Sequence, residues 1–274
     1  MKYPYGKTVF VTGGSSGIGA ACAKMFAEKG FTVYAGARSA GRSVQKFESG
    51  GEIRPVVIDV CDEGSVKTAV DAIIKETKNI GIVVHCAGMG IAGSAEDTPD
   101  DAAHRQMEVN YFGVMRVNRQ ILPYMRKQKN GLVICIGSVA GIFPIPFQSH
   151  YSSSKFAIEA YAKSLRMELS GFGVKVSVIE PGDTHTGFTD ARRYELPEGS
   201  PYNDICKSAV AKMETDERKG RSPDSVAKVA LGIAERINPP VFRVVGFDYK
   251  LLVFLRRLLP EGLILFMLRK MYMR

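Results

Sequence analysis

The chain has 274 residues, 45% hydrophobic and 24% charged, which suits one large α/β domain with a sizeable core or two small ones. Its formal charge of +9 suits an anionic cofactor, an acidic substrate or a membrane surface, and no basic stripe interleaved with aromatics points to nucleic acid. Five scattered cysteines and four unclustered histidines give no metal-ligand spacing and point to a reducing, cytoplasmic compartment. MKYPYGK at the start lacks the apolar core of a signal peptide, and no run approaches the roughly 18 uncharged apolar residues that span a bilayer.

In chain order, Lys7 to Thr12 reads as a short β-branched strand, followed by TGGSSGIG and then a helical pattern that Gly30 ends. A glycine-rich turn between strand and helix is the context in which glycines bind phosphate. Gly13 permits the tight turn, and Gly17 and Gly19 permit close approach. The helix N-terminus presents free N–H groups to a pyrophosphate, so Gly13, Ser15, Ser16, Gly17, Ile18 and Gly19 are candidate cofactor residues. The second strand, Phe31 to Gly36, runs out into Ala37-Arg38-Ser39, with Arg42 close behind. An acid there would bind the ribose 2′-OH of NAD; a guanidinium suits the 2′-phosphate of NADP. Arg38 and Ser39 are therefore candidate cofactor contacts, the alternative for Arg38 being a solvated loop charge.

Strand 3, Arg54 to Ile58, ends in Asp59-Val60, and Asp62 is placed to cap a helix from Glu63 to Thr77. Strand 4, Gly81 to His85, leads to Cys86-Ala87-Gly88. The alternation of strand and helix predicts a doubly wound parallel sheet, which binds ligands at strand C-terminal ends. Asp59 there either hydrogen-bonds adenine or caps a turn. A helical stretch from about Asp101 to Lys129 carries Asn110 in its middle, and Pro123 is expected to interrupt it. Asparagine is disfavoured inside helices, so Asn110 faces solvent or serves something.

Leu132 to Gly137 is a buried strand closed by Ser138. Tyr151 and Lys155 follow at i and i+4 on one helical face. An ammonium beside a phenol lowers the phenol's pKa and suits it to acid/base work, while a strand-end hydroxyl can bind the same substrate oxygen. Gly173 to Ile179 is strand 6, leading into EPGDTHT. Residues 187–222 form a long polar connection of the kind that serves as a lid. A helix from Pro223 to Ile237, with Ser222 as its cap, precedes a last strand from Val241 to Val245. From Lys250 to the end there are six basic residues and one acid amid two apolar bursts. Such a tail lies on an anionic membrane, or packs on its own domain, on a second subunit or over the substrate pocket.

With these pieces in place, the chain resembles the short-chain dehydrogenase/reductase family over about residues 5 to 246. The resemblance rests on Thr12-Gly13-x-x-x-Gly17-x-Gly19, Asp59-Val60, Ala87-Gly88, Asn110, Ser138, Tyr151-x-x-x-Lys155, and Pro181-Gly182 with Thr184 or Thr186. It implies one Rossmann-type domain over residues 1–246 and a dimer or tetramer, while residues 247–274 stand apart as the amphipathic extension read above. It implies that Tyr151 transfers a proton, Lys155 holds the nicotinamide ribose, Ser138 polarises the carbonyl and Asn110 supports a water. Pro181, Gly182, Thr184 and Thr186 join the cofactor contacts by the same resemblance. His85-Cys86 stands where the family often has Asn-Asn, which puts cofactor support there in doubt; His150 and His185 fall near the site as packing or substrate contacts. The expected activity is an NADP(H)-dependent interconversion of a secondary alcohol and a ketone on an apolar substrate, a hydroxysteroid, bile acid or retinoid. Rival readings are a 3-oxoacyl-carrier-protein reductase and a non-catalytic NADP-binding sensor.

Overall fold

A computed structural model describes residues 3–41 and 43–273; Arg42, read above beside Arg38, and the tail cation Arg274 lie outside the described residues. Seven strands form a parallel sheet: β1 (Thr8–Thr12), β2 (Thr32–Ala37), β3 (Glu52–Val57), β4 (Ile82–His85), β5 (Gly131–Ile136), β6 (Val174–Glu180) and β7 (Phe242–Val244). Their order across the sheet is β3-β2-β1-β4-β5-β6-β7, so the winding reverses between β1 and β4. A two-residue strand, Gln45–Lys46, adds antiparallel to the β3 edge. This is the doubly wound α/β architecture that the alternation of elements predicts.

The strands are apolar almost throughout because helices cover both faces. Successive residues of β5 point to opposite sides: Val133 and Cys135 pack under α2 (Glu63–Thr77), α4 (Gly113–Lys127) and α5 (Ser149–Glu168), while Leu132 and Ile134 pack under α1 (Gly17–Ala27) and α7 (Pro223–Ala234). Asp62 caps α2 as expected, accepting from the Ser65 N–H. Ser222 stands at the α7 cap without a side-chain cap bond; its carbonyl instead accepts from the Ser225 hydroxyl at 2.7 Å. The expected break at Pro123 does not occur, because Pro123 sits inside α4. The irregularity falls earlier, where α3 (Asp100–Met107) widens into a π-turn over Glu108–Phe112 that contains Asn110. Such turns collect at functional sites because they re-aim one side chain.

The connection after β6 is not structureless. It forms the strand Arg193–Tyr194, paired with Ile91–Ala92, and then α6 (Asn203–Arg218). The tail folds as two helices, α8 (Phe247–Arg256) and α9 (Glu261–Tyr272). Replacing Ile134 with Ala removes a fully buried side chain and leaves a cavity in the central strand. The expected loss is about 3 kcal/mol, read as a lower urea midpoint with an unchanged slope.

Candidate active site

The sheet reversal between β1 and β4 opens a crevice at their C-terminal ends, and the glycine loop lies across it. Gly13 (φ +66°) and Gly17 (φ +51°) take left-handed backbone that other residues resist. A Cβ on Gly13 would lie 2.7 Å from the Ala87 amide nitrogen, and one on Gly19 would collide with the Gly13 carbonyl. The loop and the start of α1 are therefore packed as tightly as backbone allows. Ser15 and Ser16 are exposed, Ile18 packs partly on the core, and the Ser16 hydroxyl makes no cap bond to α1. The first N–H groups of an 11-residue helix thus lack a side-chain cap. Such a cradle fits the pyrophosphate of a dinucleotide.

The remaining candidate contacts surround this cradle. Arg38 and Ser39 are exposed just past β2. The Asp59 carboxylate accepts from the Cys61 N–H at 2.9 Å, which is the turn-capping role, and Val60 is buried against Gly113. The Ala87 N–H donates to the Thr12 hydroxyl at 3.3 Å, and Gly88 lies against the Asn110 amide oxygen. Thr186 sits over Gly17, with its Cβ 3.4 Å from where a Gly17 side chain would begin. Thr184 donates to the Gly182 carbonyl at 2.9 Å, and the Pro181 carbonyl accepts from the Val139 N–H at 2.9 Å.

Ser138, Tyr151 and Lys155 meet at the end of β5. The Ser138 hydroxyl accepts from the Ala140 N–H at 3.1 Å and lies close enough to the Tyr151 phenol to favour its ionised form. The Lys155 ammonium lies 5.6 Å from the centre of the Tyr151 ring and donates to the Ile136 carbonyl at 3.0 Å. Here the structure corrects the sequence expectation of a depressed phenol. Part of Tyr151 stays open, but burial of the rest pushes its phenol up to about 12, and the Ser138 hydroxyl only moderates the rise. Lys155 points at a carbonyl rather than at the phenol, and burial lowers its own pKa. Asn110 is buried and fully used: its oxygen accepts from the Met89 N–H at 2.9 Å, and its nitrogen donates to the Met89 carbonyl and, at 3.0 Å, to Ser154. It ties the loop after β4 to α5, one turn from Tyr151.

Several contributors escape sequence reading. Phe188 stacks at a tilt on Tyr151, centres 5.6 Å apart, with Gly90 beneath it. Arg192, with a side chain fully shielded from solvent, pairs with Glu217 and lies 6.0 Å from the Phe188 ring. Arg192 so braces the segment that carries Phe188 against α6. The carboxyl of Glu180 accepts from the Ser138 N–H. From α8, the Tyr249 ring covers Gly182 and its hydroxyl bonds Asp183, while Asp248 pairs with Arg221. No sequence spacing links these partners. In the departed motif, His85 bonds Asn118 at 2.9 Å, and Asn118 reaches Tyr161. Burial lowers His85 to about 4, so it is neutral and structural. Cys86 lies against the Cys22 thiol. His185 is exposed, and the His150 Nε2 is buried without a hydrogen-bond partner among the described residues.

An open apolar cleft of about 500 Å³ lies between α9 and the segment from Pro144 to Phe156. Its α5 lining, Ser149, Ser152, Ser153 and Phe156, repeats at helical spacing. That face is opposite the one carrying Tyr151 and Lys155, so the cleft is not the chamber of the catalytic candidates. Among the described residues there is no group of three or more potential metal ligands.

Comparison with known proteins agrees with this geometry. The short chain dehydrogenase family model matches residues 7–196. The chain is 36% identical to 3-ketodihydrosphingosine reductase of Bacteroides thetaiotaomicron over 96% of this chain and 97% of that protein. It is 30% identical to mouse dehydrogenase/reductase SDR family member 7B, over 92% of this chain and 77% of that protein. A short chain dehydrogenase/reductase from Burkholderia phymatum, solved in complex with NAD, has the same fold: TM-score 0.78 at 24% identity, covering 93% of this chain and 94% of that one. A glycine cradle at the sheet reversal, a Ser138–Tyr151 pair beside a buried lysine, and a family match over most of the chain lead to one assignment: this protein belongs to the short chain dehydrogenase family of nicotinamide-dependent oxidoreductases.

Proposed function

We propose that the protein reduces a ketone on a long-chain lipid to a secondary alcohol with NADPH, and runs the reverse reaction when product accumulates. The observation that carries this reading is the pair of hydroxyls of Ser138 and Tyr151, brought together at the end of β5 and flanked by the buried Lys155. A carbonyl oxygen seated between the two hydroxyls accepts a hydrogen bond from Ser138. It then takes the Tyr151 proton as its carbon accepts a hydride. The nicotinamide supplies that hydride when bound, and its oxidised ring carries a positive charge. Lys155 would hold the ribose of the bound cofactor, and its buried ammonium, 5.6 Å from the Tyr151 ring, would favour the charge that develops on the Tyr151 oxygen. Asn110 fixes the loop after β4 against α5.

A phenol raised to about 12 stays protonated at neutral pH, which is the form a proton donor needs. Protonation is complete well below the raised value and is lost only as pH rises through it. Reduction therefore runs at a steady rate between about pH 6 and 8, whereas oxidation, which needs the phenolate, climbs with pH.

Three features support the finer assignment. Arg38 lies exposed past β2, where a 2′-phosphate would fall, and no acid stands there to hold a 2′-hydroxyl. The relative at 36% identity is named for a 3-keto long-chain base, which favours a lipid ketone over the hydroxysteroid, bile acid and retinoid suggested by the motifs. Eleven large apolar side chains from Phe247 to Met271 are exposed, among them Phe247 at 80% and Leu258 at 67%. They alternate with Lys250, Arg256, Arg257, Arg269 and Lys270. That combination suits an anionic bilayer, the place where such a substrate resides. In this reading residues 187–222 are the lid and residues 247–274 a membrane-facing extension. Among the described residues no helix is long and apolar enough to cross a membrane.

The assay pairs NADPH and NADH with a 3-keto long-chain base, a ketosteroid and a 3-oxoacyl thioester. Turnover of the long-chain base with NADPH is expected; preference for either other ketone would overturn the substrate class. Y151F should lower kcat about 10³-fold while nucleotide binding, followed by fluorescence, is kept. If Y151F retains turnover, Tyr151 is not the proton donor. R38A should raise the KM for NADPH about tenfold and leave that for NADH unchanged; equal effects on both would sink the 2′-phosphate assignment. Finally, F254S/F266S should weaken sedimentation with phosphatidylserine vesicles about tenfold, and unaltered sedimentation would remove the membrane from the reading.

A further inference from the structure

Glu180 closes β6 and is fully buried at the floor of the site. Its Oε2 accepts from the Ser138 N–H at 2.5 Å. Its Oε1 has no hydrogen-bond partner among the described residues. The backbone on either side is pinned: the Glu180 carbonyl accepts from the Val245 N–H at 3.0 Å, and the neighbouring Ile179 carbonyl accepts from the Gly137 N–H at 2.8 Å. The carboxyl also occupies the space a side chain at position 137 would need, since a Cβ on Gly137 would collide with it. A buried carboxyl is a costly group to keep at a strand end where apolar residues would pack well. Burial pushes it well above the usual carboxylate range, against the pull of Lys155. Whether ionised or neutral, its Oε2 can accept the Ser138 N–H.

We propose that Glu180 is a positioning residue: it grips the Ser138 backbone from below and so fixes the direction in which the Ser138 hydroxyl meets the substrate oxygen. This rests on the ketone-reductase reading above. The geometry explains why a single backbone bond matters. Ser138 is extended (φ −170°, ψ 154°) between the end of β5 and a 3-10 turn over Val139–Gly141. The sheet bond of Gly137 to Ile179 and that of Val139 to Pro181 flank it, but its own N–H has no sheet acceptor and takes the Glu180 side chain instead. Gly137 is bare because the acceptor must come that close.

The test separates positioning from mere packing. E180L removes the acceptor and should lower kcat about 100-fold, with little change in the KM for nucleotide. E180Q keeps an amide oxygen in the same place and should recover most of that loss. In an S138A background, E180L should cost less than about threefold, because a residue acting through Ser138 has nothing left to act on. G137A, which crowds the carboxyl, should mimic E180L. Equal costs of E180L in both backgrounds, or E180Q as poor as E180L, would overturn the proposal. The Ser138 amide proton gives a readout without turnover. Its NMR resonance should be downfield and protected from exchange in wild type and E180Q, and should lose both properties in E180L. If the wild-type protein turns over none of the ketones, the reaction assignment fails alone, and the amide shift still decides the role of Glu180.

Discussion

The parallel pairing of β5 with β6 is the constraint on which the site depends. Because the two strands run the same way, both reach their C-terminal ends at the same edge. The pairing continues past the strands: the Gly137 N–H meets the Ile179 carbonyl, and the Val139 N–H meets the Pro181 carbonyl. The segment carrying Ser138 and the loop carrying Pro181 and Gly182 are therefore one unit. On the far side, α5 is packed down on β6 and on the turn after Ser138, which brings Tyr151 and Lys155 to the same edge. A one-residue change in register between β5 and β6 would separate Ser138 from Glu180 and at the same time turn the buried side chains of the strand to the other face.

Within that unit burial sets the electrostatics. Tyr151, Lys155 and Glu180 share one poorly solvated floor, and each is driven toward its neutral form. Lysine and glutamate partly offset each other there. The tyrosine is closed off from above by Phe188, itself braced by Arg192 and Glu217. The segment that shields the phenol is thus held by an ion pair whose arginine is shielded from solvent, an arrangement that fails as a whole if either partner is lost.

The sequence made legible what depends on local chemistry. Strand and helix alternation, the Asp62 cap, the glycine turn and the Tyr151–Lys155 spacing each rest on residues a few positions apart, and each is found in the fold. The sheet then carries Ser138 to Tyr151, a meeting the motifs anticipated but no spacing could show. What was illegible depends on partners far apart in sequence. Glu180 is visible within the EPG stretch, yet its target, 42 residues earlier, emerges only from strand pairing. Arg192 read as one more charge in a polar connection because burial is a tertiary property. Pro123 misled for a related reason: α4 accommodates it, and the helical irregularity lies instead at the π-turn that contains Asn110. The phenol was misjudged because two residues on one helical face need not point at each other; Lys155 found a carbonyl first.

The C-terminal helices show why amphipathic periodicity alone left their role open. Their inner side is held by polar bonds as well as by packing: Asp248 to Arg221, Tyr249 to Asp183, and Val253 in a small cluster with Ile142 and Val244. α9 rests on α6, the helix whose Glu217 also holds Arg192 beside Phe188. The body of the protein thus accounts for one side of the tail and leaves the apolar side bare. An exposed row of phenylalanines and leucines is unfavourable in water, while of the cations between them Arg256 pairs with Glu261 and lies over the Phe143 ring. Because Tyr249 lies directly on Gly182 and bonds Asp183, α8 packs against the loop that frames the site, and the placement of that loop depends on one ring and one glycine.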